Sequence, residues 1–201
     1  VNRGLLVLMW LLGGAGCSVL PPAEPVSLYR LPPATLAGGD NEVLLNGLRL
    51  ARPQATGVLN GNRLLVLTGQ QSYQAYGGVR WAAPLPVLWQ DWLLDALWQN
   101  GHQGGLSREE EGIAAEWELS GTLRAFEVDL GAGRQQAVIR FDAQLLRTSD
   151  RHLVASRRFE QREPVENLNA DTVVMAMGRA ADRLVLALSQ WLLDSGRGEV
   201  K

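Results

Sequence analysis

Arg80-Trp81-Ala82-Ala83-Pro84-Leu85-Pro86-Val87-Leu88-Trp89-Gln90-Asp91-Trp92-Leu93-Leu94-Asp95-Ala96-Leu97-Trp98-Gln99 is the stretch that decides the fold. Leu85, Leu88, Trp89, Trp92, Leu93, Ala96 and Leu97 recur at helical spacing, so 84–99 reads as a helix with one broad apolar face. Pro84 suits a first helical turn, where its missing N–H costs nothing. Asn100-Gly101 supplies residues that tolerate the left-handed geometry of a helix end. Trp89 and Trp92 fall on the main face and are expected in the core. Val87, Leu94 and Trp98 form a second apolar stripe, with Asp91, on the opposite side. A helix apolar on two sides is either buried twice or binds a partner there. The stripe is therefore a candidate docking surface, unless a loop or a second helix covers it.

Before this helix the chain reads as short strands. Val26–Leu31 alternates and stops at Pro32-Pro33. Val43–Arg52 reads as one long strand, with Leu45, Leu48 and Leu50 as core. Asn60-Gly61-Asn62 turns the chain into a buried strand at Arg63–Thr68. Tyr73–Trp81 is a further strand, broken at Gly77-Gly78. After the helix, His102–Gly112 reads as polar loop. A three-stranded antiparallel meander follows. Its first strand alternates from Trp117 to Ala125, then shifts phase at Phe126, Val128 and Leu130, which places a bulge near Ala125-Phe126. Its second carries Ala137, Ile139, Phe141, Ala143 and Leu145 against wet Arg140, Asp142 and Gln144. Its third returns over Leu153–Gln161. Asn169–Ser195 is the longest helix, with Val174, Met177, Ala181, Leu184, Leu188 and Trp191 in line, a cap near Asp171 and release at Gly196. The expected fold is a single α/β domain: a mixed sheet with a C-terminal antiparallel meander and two long helices.

Composition narrows the function. With 201 residues, 46% of them apolar, the chain can bury one sizeable core. A net charge of −2 without basic tracts argues against nucleic-acid binding. The sole cysteine forms no intrachain disulfide. It follows a short basic start (Arg3), an apolar run from Gly4 to Leu12, and the small residues Gly13-Gly14-Ala15-Gly16. The run is too short to span a bilayer and has the pattern of an export signal. Residues 1–16 are accordingly read as a signal peptide and Cys17 as the lipid-modified first residue of the mature chain; the alternative is an ordinary secretory signal with an incidental cysteine. Removing residues 1–16 takes away Arg3 and leaves a formal charge of −3. Residues 17–25, with Pro21, Pro22 and Pro25, form a semi-rigid linker reaching about 25 Å at ~3.1 Å per residue. Residues 26–201 are the expected folded periplasmic domain.

Catalytic motifs are not evident. His102 and His152 stand in polar segments without further ligands, and Glu109-Glu110-Glu111, Glu116 and Glu118 are expected on solvated faces. No phosphate loop, nucleophile elbow or zinc motif is present. The expectation is a non-enzymatic protein without cofactor or metal.

Tyr29-Arg30-Leu31, Leu48-Arg49-Leu50-Ala51-Arg52-Pro53, Asn62-Arg63-Leu64-Leu65-Val66, Arg80-Trp81-Ala82-Ala83-Pro84-Leu85 and Leu123-Arg124-Ala125-Phe126-Glu127-Val128 together resemble the ABC-type transport auxiliary lipoproteins, the PqiC-like group. The Trp-Ala-x-Pro-Leu step before the helix is the most specific of these. The signal departs from the usual lipoprotein box, with Gly14 where Leu is common. The resemblance implies a three-layer α/β fold and an accessory role in MCE-type lipid transport between the two membranes. It implies a periplasmic MCE-domain partner. Ser18, in place of an inner-membrane-retaining Asp, implies delivery to the periplasmic face of the outer membrane. A different envelope machine, such as lipopolysaccharide assembly or a peptidoglycan synthase, is the alternative client, and an envelope hydrolase the third reading. A homo-oligomer is a further way to occupy the stripe. A palmitate analogue fed to cells is expected to label the wild-type chain and not Cys17→Ser; equal labelling of both removes the lipid-anchor reading.

Overall fold

The computed structural model describes residues 25–35, 45–99 and 105–199. The signal, Cys17, most of the linker, Val43 and His102 lie outside the described residues. Eight strands and two helices follow one another: β1 Ser27–Tyr29, β2 Leu48–Leu50, β3 Arg63–Leu67, β4 Tyr73–Trp81, α1 Leu85–Gln99, β5 Ser107–Arg108, β6 Trp117–Asp129, β7 Gln136–Arg147, β8 His152–Pro164 and α2 Ala170–Glu199. All eight strands join one mixed sheet, which establishes the α/β single-domain reading. The meander β6-β7-β8 is antiparallel throughout. The other edge of β6 is shared: β2 runs parallel to its start, Leu48↔Trp117 to Leu50↔Leu119, and β3 parallel to its end, Leu65↔Glu127 to Leu67↔Asp129. A single bridge, Gln54↔Thr122, marks the gap between them. β5 extends the sheet beyond β2, while β4 and then β1 extend it beyond β3.

Both helices cover the same face. Phe141 and Phe159 are cross-strand partners. Phe141 meets Trp89 of α1 edge-on at 6.1 Å, and Phe159 meets Trp191 of α2 at 5.6 Å. Phe126 contacts Trp81 at 5.6 Å and Trp89 at 6.3 Å, closing an aromatic cluster between β4, β6 and α1. Edge-to-face rings set the positive rim of one π-system against the negative face of the next, beyond the gain from burial. Along α2, Val174, Met177, Ala181, Leu184, Leu188 and Trp191 are all buried, as their spacing predicts.

Several boundaries differ from the sequence reading. The long strand expected over 43–52 is three residues, because Asn46-Gly47 turns the chain. Gly47 sits at φ +63°, and a side chain there would crowd the Glu116 backbone at 3.2 Å. The loop expected over 102–112 contains β5 and a 3-10 turn at Glu109–Glu111. Strand β4 is not interrupted at Gly77-Gly78. Its pairing with β3 instead jumps from Arg63↔Arg80 to Leu65↔Ala75, with Gly78 at φ +63°. The bulge in β6 falls between Leu123 and Ala125, one residue before the expected step. Asn169, not Asp171, caps α2: its side-chain oxygen accepts the Thr172 N–H at 2.8 Å. Gly196 does not release this helix, which continues to Glu199; the glycine leaves room for Leu45 against the helix backbone.

The registers orient the domain. β3 runs parallel to β6, β4 runs opposite, and β1 runs with β4. β1 therefore begins at the end of the domain where β6 finishes. Asp129, Gln136 and Pro164 share a register there, and α2 starts six residues beyond Pro164. We call this the entry end. Helix α1 runs the other way. Leu85 N–H donates to Gly61 O at 2.9 Å, ahead of β3, and Gln90 Nε2 donates to Leu50 O at 3.0 Å, in β2. Its last turn lies about 12 Å further along at 1.5 Å per residue, at the far end with Trp117, Arg147 and His152.

On the face away from the helices, Leu65, Glu127 and Val138 form a buried row across β3, β6 and β7. Glu127 accepts the Phe126 N–H at 2.6 Å. Burial pushes its carboxyl up to about 7, against the opposing pull of that hydrogen bond and of Arg140 and Arg162. A folded-state value above the unfolded 4.5 means that the native state holds the proton more tightly. The contribution is complete below pH 4.5 and is lost as pH rises through 7. At about 1.4 kcal/mol per pKa unit, the loss is on the order of 3 kcal/mol. Glu127→Gln is expected to match wild type near pH 4 and to be more stable by that amount at pH 8 in denaturant titrations. Parallel pH profiles for the two proteins would show that Glu127 does not titrate in this window.

Candidate functional site

Helix α1 has buried residues on nearly every turn, and its fixed contacts explain which face remains. Leu85, Leu88, Trp89, Trp92, Leu93, Ala96 and Leu97 are buried. Trp89 and Trp92 stack at 5.5 Å with 13° between the rings. Trp92 Nε1 donates to Pro32 O at 2.7 Å, tying the helix to the segment after β1. Gln90, also buried, donates to Leu50 O and to Glu110 Oε2, the latter at 3.2 Å. Both amide contacts satisfy polar groups that would otherwise be costly to bury. Nothing in the apolar periodicity marks Gln90. Its signal is a polar residue between two core tryptophans, which requires a partner.

The three stripe residues divide. Val87 and Leu94 are half-buried, and Leu94 packs against the core. Trp98 is 51% exposed, the one tryptophan of the described chain that stands among the exposed large apolar side chains. Asp91 lies between Val87 and Leu94 and pairs with Arg108 of β5 at 2.9 Å. Both members of that pair are well exposed, so it orients the surface more than it stabilises the fold. Beside the stripe opens a cleft of about 320 Å³ lined by Leu31, Pro33, Ala83, Leu88 and Trp92, with Arg30, Asp91 and Asp95 among its polar groups. The described surface thus carries an exposed indole on the same helix whose Leu88, Asp91, Trp92 and Asp95 form one side of the cleft. An exposed tryptophan of this kind suits protein recognition, since a large ring buries much area at little conformational cost.

Two of the carboxylates noted in the sequence are engaged elsewhere. Glu110 pairs with Arg52 at 2.5 Å and Glu118 with Arg49 at 2.5 Å. His152 is exposed. Among the described residues no group of three His, Cys, Asp or Glu is placed to hold a metal ion. Outside the stripe, Glu163 is buried at the seam between β8 and α2, where Arg183 reaches it at 2.7 Å and Arg179 at 3.8 Å. This clamp between sheet and helix was missed in the sequence because the third meander strand was read only to Gln161; β8 continues to Pro164, and its alternation puts Glu163 on the same side as Phe159.

The architecture is that of an α/β domain with a candidate surface on one helix, where Trp98 is exposed and a cleft opens beside Trp92. The chain belongs to the family of ABC-type transport auxiliary lipoprotein components, whose model matches residues 29–189. It is a transport auxiliary component by family. Among solved structures it is similar to protein XCC0632 from Xanthomonas campestris, with a TM-score of 0.78 and 24% identity over 87% of this chain and 99% of that one. An uncharacterised protein matches with a TM-score of 0.66 and 18% identity over 84% and 99% of the two chains. At these identities the likeness establishes the shared fold alone. No curated protein matches.

The contrast between Trp92 and Trp98 gives a direct check of the helix phase. Trp92→Ala is expected to cost about 3–5 kcal/mol of stability, as for other buried aromatics, and Trp98→Ala within roughly 1 kcal/mol of wild type. Urea denaturation of both variants measures this. Comparable losses would place Trp98 in the core.

Proposed function

We propose that this protein is an accessory lipoprotein of an MCE-type ABC lipid transport system. Cys17 carries the acyl chains that hold it at the periplasmic face of the outer membrane. Val87, Leu94 and Trp98 engage the periplasmic MCE-domain partner. Family membership supports the transport-auxiliary part of this reading, and the exposed Trp98 beside the cleft is the observation that carries the docking part.

The physical logic follows from the tether. Two or more acyl chains hold a protein stably at a bilayer, at ~0.8 kcal/mol per buried methylene. A linker reaching about 25 Å keeps the domain beside that membrane. Such a protein contributes to traffic across the periplasm by holding the end of a longer partner. No step here needs a nucleophile, a cofactor or a metal: the work is positional, done by a rigid sheet that presents one helix. Burying Trp98 in the partner interface is worth about 2 kcal/mol or more.

Trp98→Ala is therefore expected to weaken capture of the MCE-domain protein by roughly tenfold or more, with an unchanged circular dichroism spectrum. Binding titrations of purified lipoprotein with that partner, wild type against variant, make the measurement. Undiminished affinity in a folded variant would exclude Trp98 from the interface.

A further inference from the structure

Val26 and Leu28, 51% and 66% exposed, lie where the chain enters the domain; Leu28 is level with Arg80 and Arg63, and the start of β1 points toward the entry end. Leu28 lies on β1, which pairs with β4 and leaves its other edge open among the described residues. This strand is held in place. The Tyr29 hydroxyl donates to Asp171 Oδ1 at 2.8 Å, and the Thr35 hydroxyl donates to Asp182, so the segment is fastened along the first turns of α2. Pro32 packs onto Gly178, where a side chain would meet its ring at 2.9 Å. Two more apolar side chains lie exposed at the same end: Leu168, just before α2, and Met175, one turn after Asp171. Exposed apolar side chains thus flank the Tyr29–Asp171 junction, Leu28 on the side of β1 away from α2 and Leu168 and Met175 on the helix side, and together they form an apolar rim.

We propose that this rim rests in the interfacial layer of the bilayer that holds the Cys17 acyl chains. The inference rests on the lipid-anchor reading above. Eight residues, 18–25, separate the anchor from Val26, a reach of about 25 Å. The rim is the part of the folded domain nearest that attachment. A tether this short makes the second contact intramolecular, so an interaction too weak to recruit the domain from solution suffices to orient it. Side chains need enter only about 5–10 Å, to the boundary of headgroups and acyl chains. No membrane-spanning element is required, and no described helix is long and apolar enough to be one.

The test uses the full mature lipoprotein in vesicles of phosphatidylethanolamine and phosphatidylglycerol. Leu28→Cys, Met175→Cys and, at the far end, Leu153→Cys each carry an NBD fluorophore. Spin-labelled lipid is expected to quench the first two by roughly twofold or more relative to Leu153→Cys. Equal, weak quenching at all three sites, with the protein still floating with the vesicles, overturns the rim while leaving the anchor standing. Failure to float removes the anchor reading and this inference with it. A blue-shifted but unquenched label at Leu28→Cys shows that protein, such as a second copy, covers the rim, and equally overturns the proposal.

Discussion

The single extra residue in β6 governs which side chains meet across the sheet. Up to Leu123 the inward positions are Trp117, Leu119 and Leu123, and Leu123 pairs with Phe141. A regular strand would next turn Ala125 and Glu127 toward the helices. The bulge at Arg124 advances the phase, so Phe126 and Val128 face inward and Phe126 reaches Trp81 and Trp89. The same step sends Arg124 outward to Asp142 at 2.9 Å and places Glu127 beside Leu65 and Val138 on the opposite face. One insertion thus completes the aromatic cluster beneath α1 and creates the buried carboxyl. Deleting Arg124 would remove the extra residue and leave Leu123, Phe126 and Val128 on the helix face of a regular strand, whereas a regular strand that kept Arg124 would turn Glu127 into the core, a loss of packing together with a buried charge.

Those parts of the fold that rest on long periodicity were legible in the sequence. Helix α1, helix α2 and the meander each repeat their pattern over a dozen residues or more, and the structure keeps their phases. What escaped is short or non-local. β5 has two residues and no period to detect; it exists because it pairs with β2 and brings Arg108 to Asp91. The strand over 43–52 was overextended because an apolar count outweighed Asn46-Gly47, a turn signal as good as the Asn60-Gly61 that was used. Asp171 resembled a cap but is engaged by Tyr29, 142 residues earlier in the chain, which local reading does not reach. Glu127 had one detectable cue, the unbroken apolar run Ala137-Val138-Ile139, which implies cover on both faces of β7.

The docking stripe was read from α1 alone, and the rest of the molecule refines it. Leu94 is drawn into the core, Asp91 is held by Arg108, and Trp98 keeps half its surface. The adjoining cleft needed the segment after β1, since Leu31, Pro33 and Arg30 form one side and α1 the other. Trp92 connects the two through its bond to Pro32 O. The core tryptophan therefore sets the position of the cleft wall without belonging to the exposed surface.

Strand direction then separates two tasks in space. β1 must run opposite to β6, its start toward the end where β6 finishes, because one reversal of direction, between β3 and β4, lies between them. Helix α1 must end where β6 begins, because Gly61 and Leu50 fix its start and middle. The linker consequently joins the domain at one end and Trp98 lies at the other. With both at the same end, the docking and anchoring roles proposed above would compete for one surface. Parallel pairing of β2 and β3 along one edge of β6 prevents this. It sends the chain back through the 55–62 excursion before β3, β4 and α1 can follow. The separation of the start of β1 from Trp98 is thus a property of the topology, set by the order of strands on β6 rather than by any residue at either end.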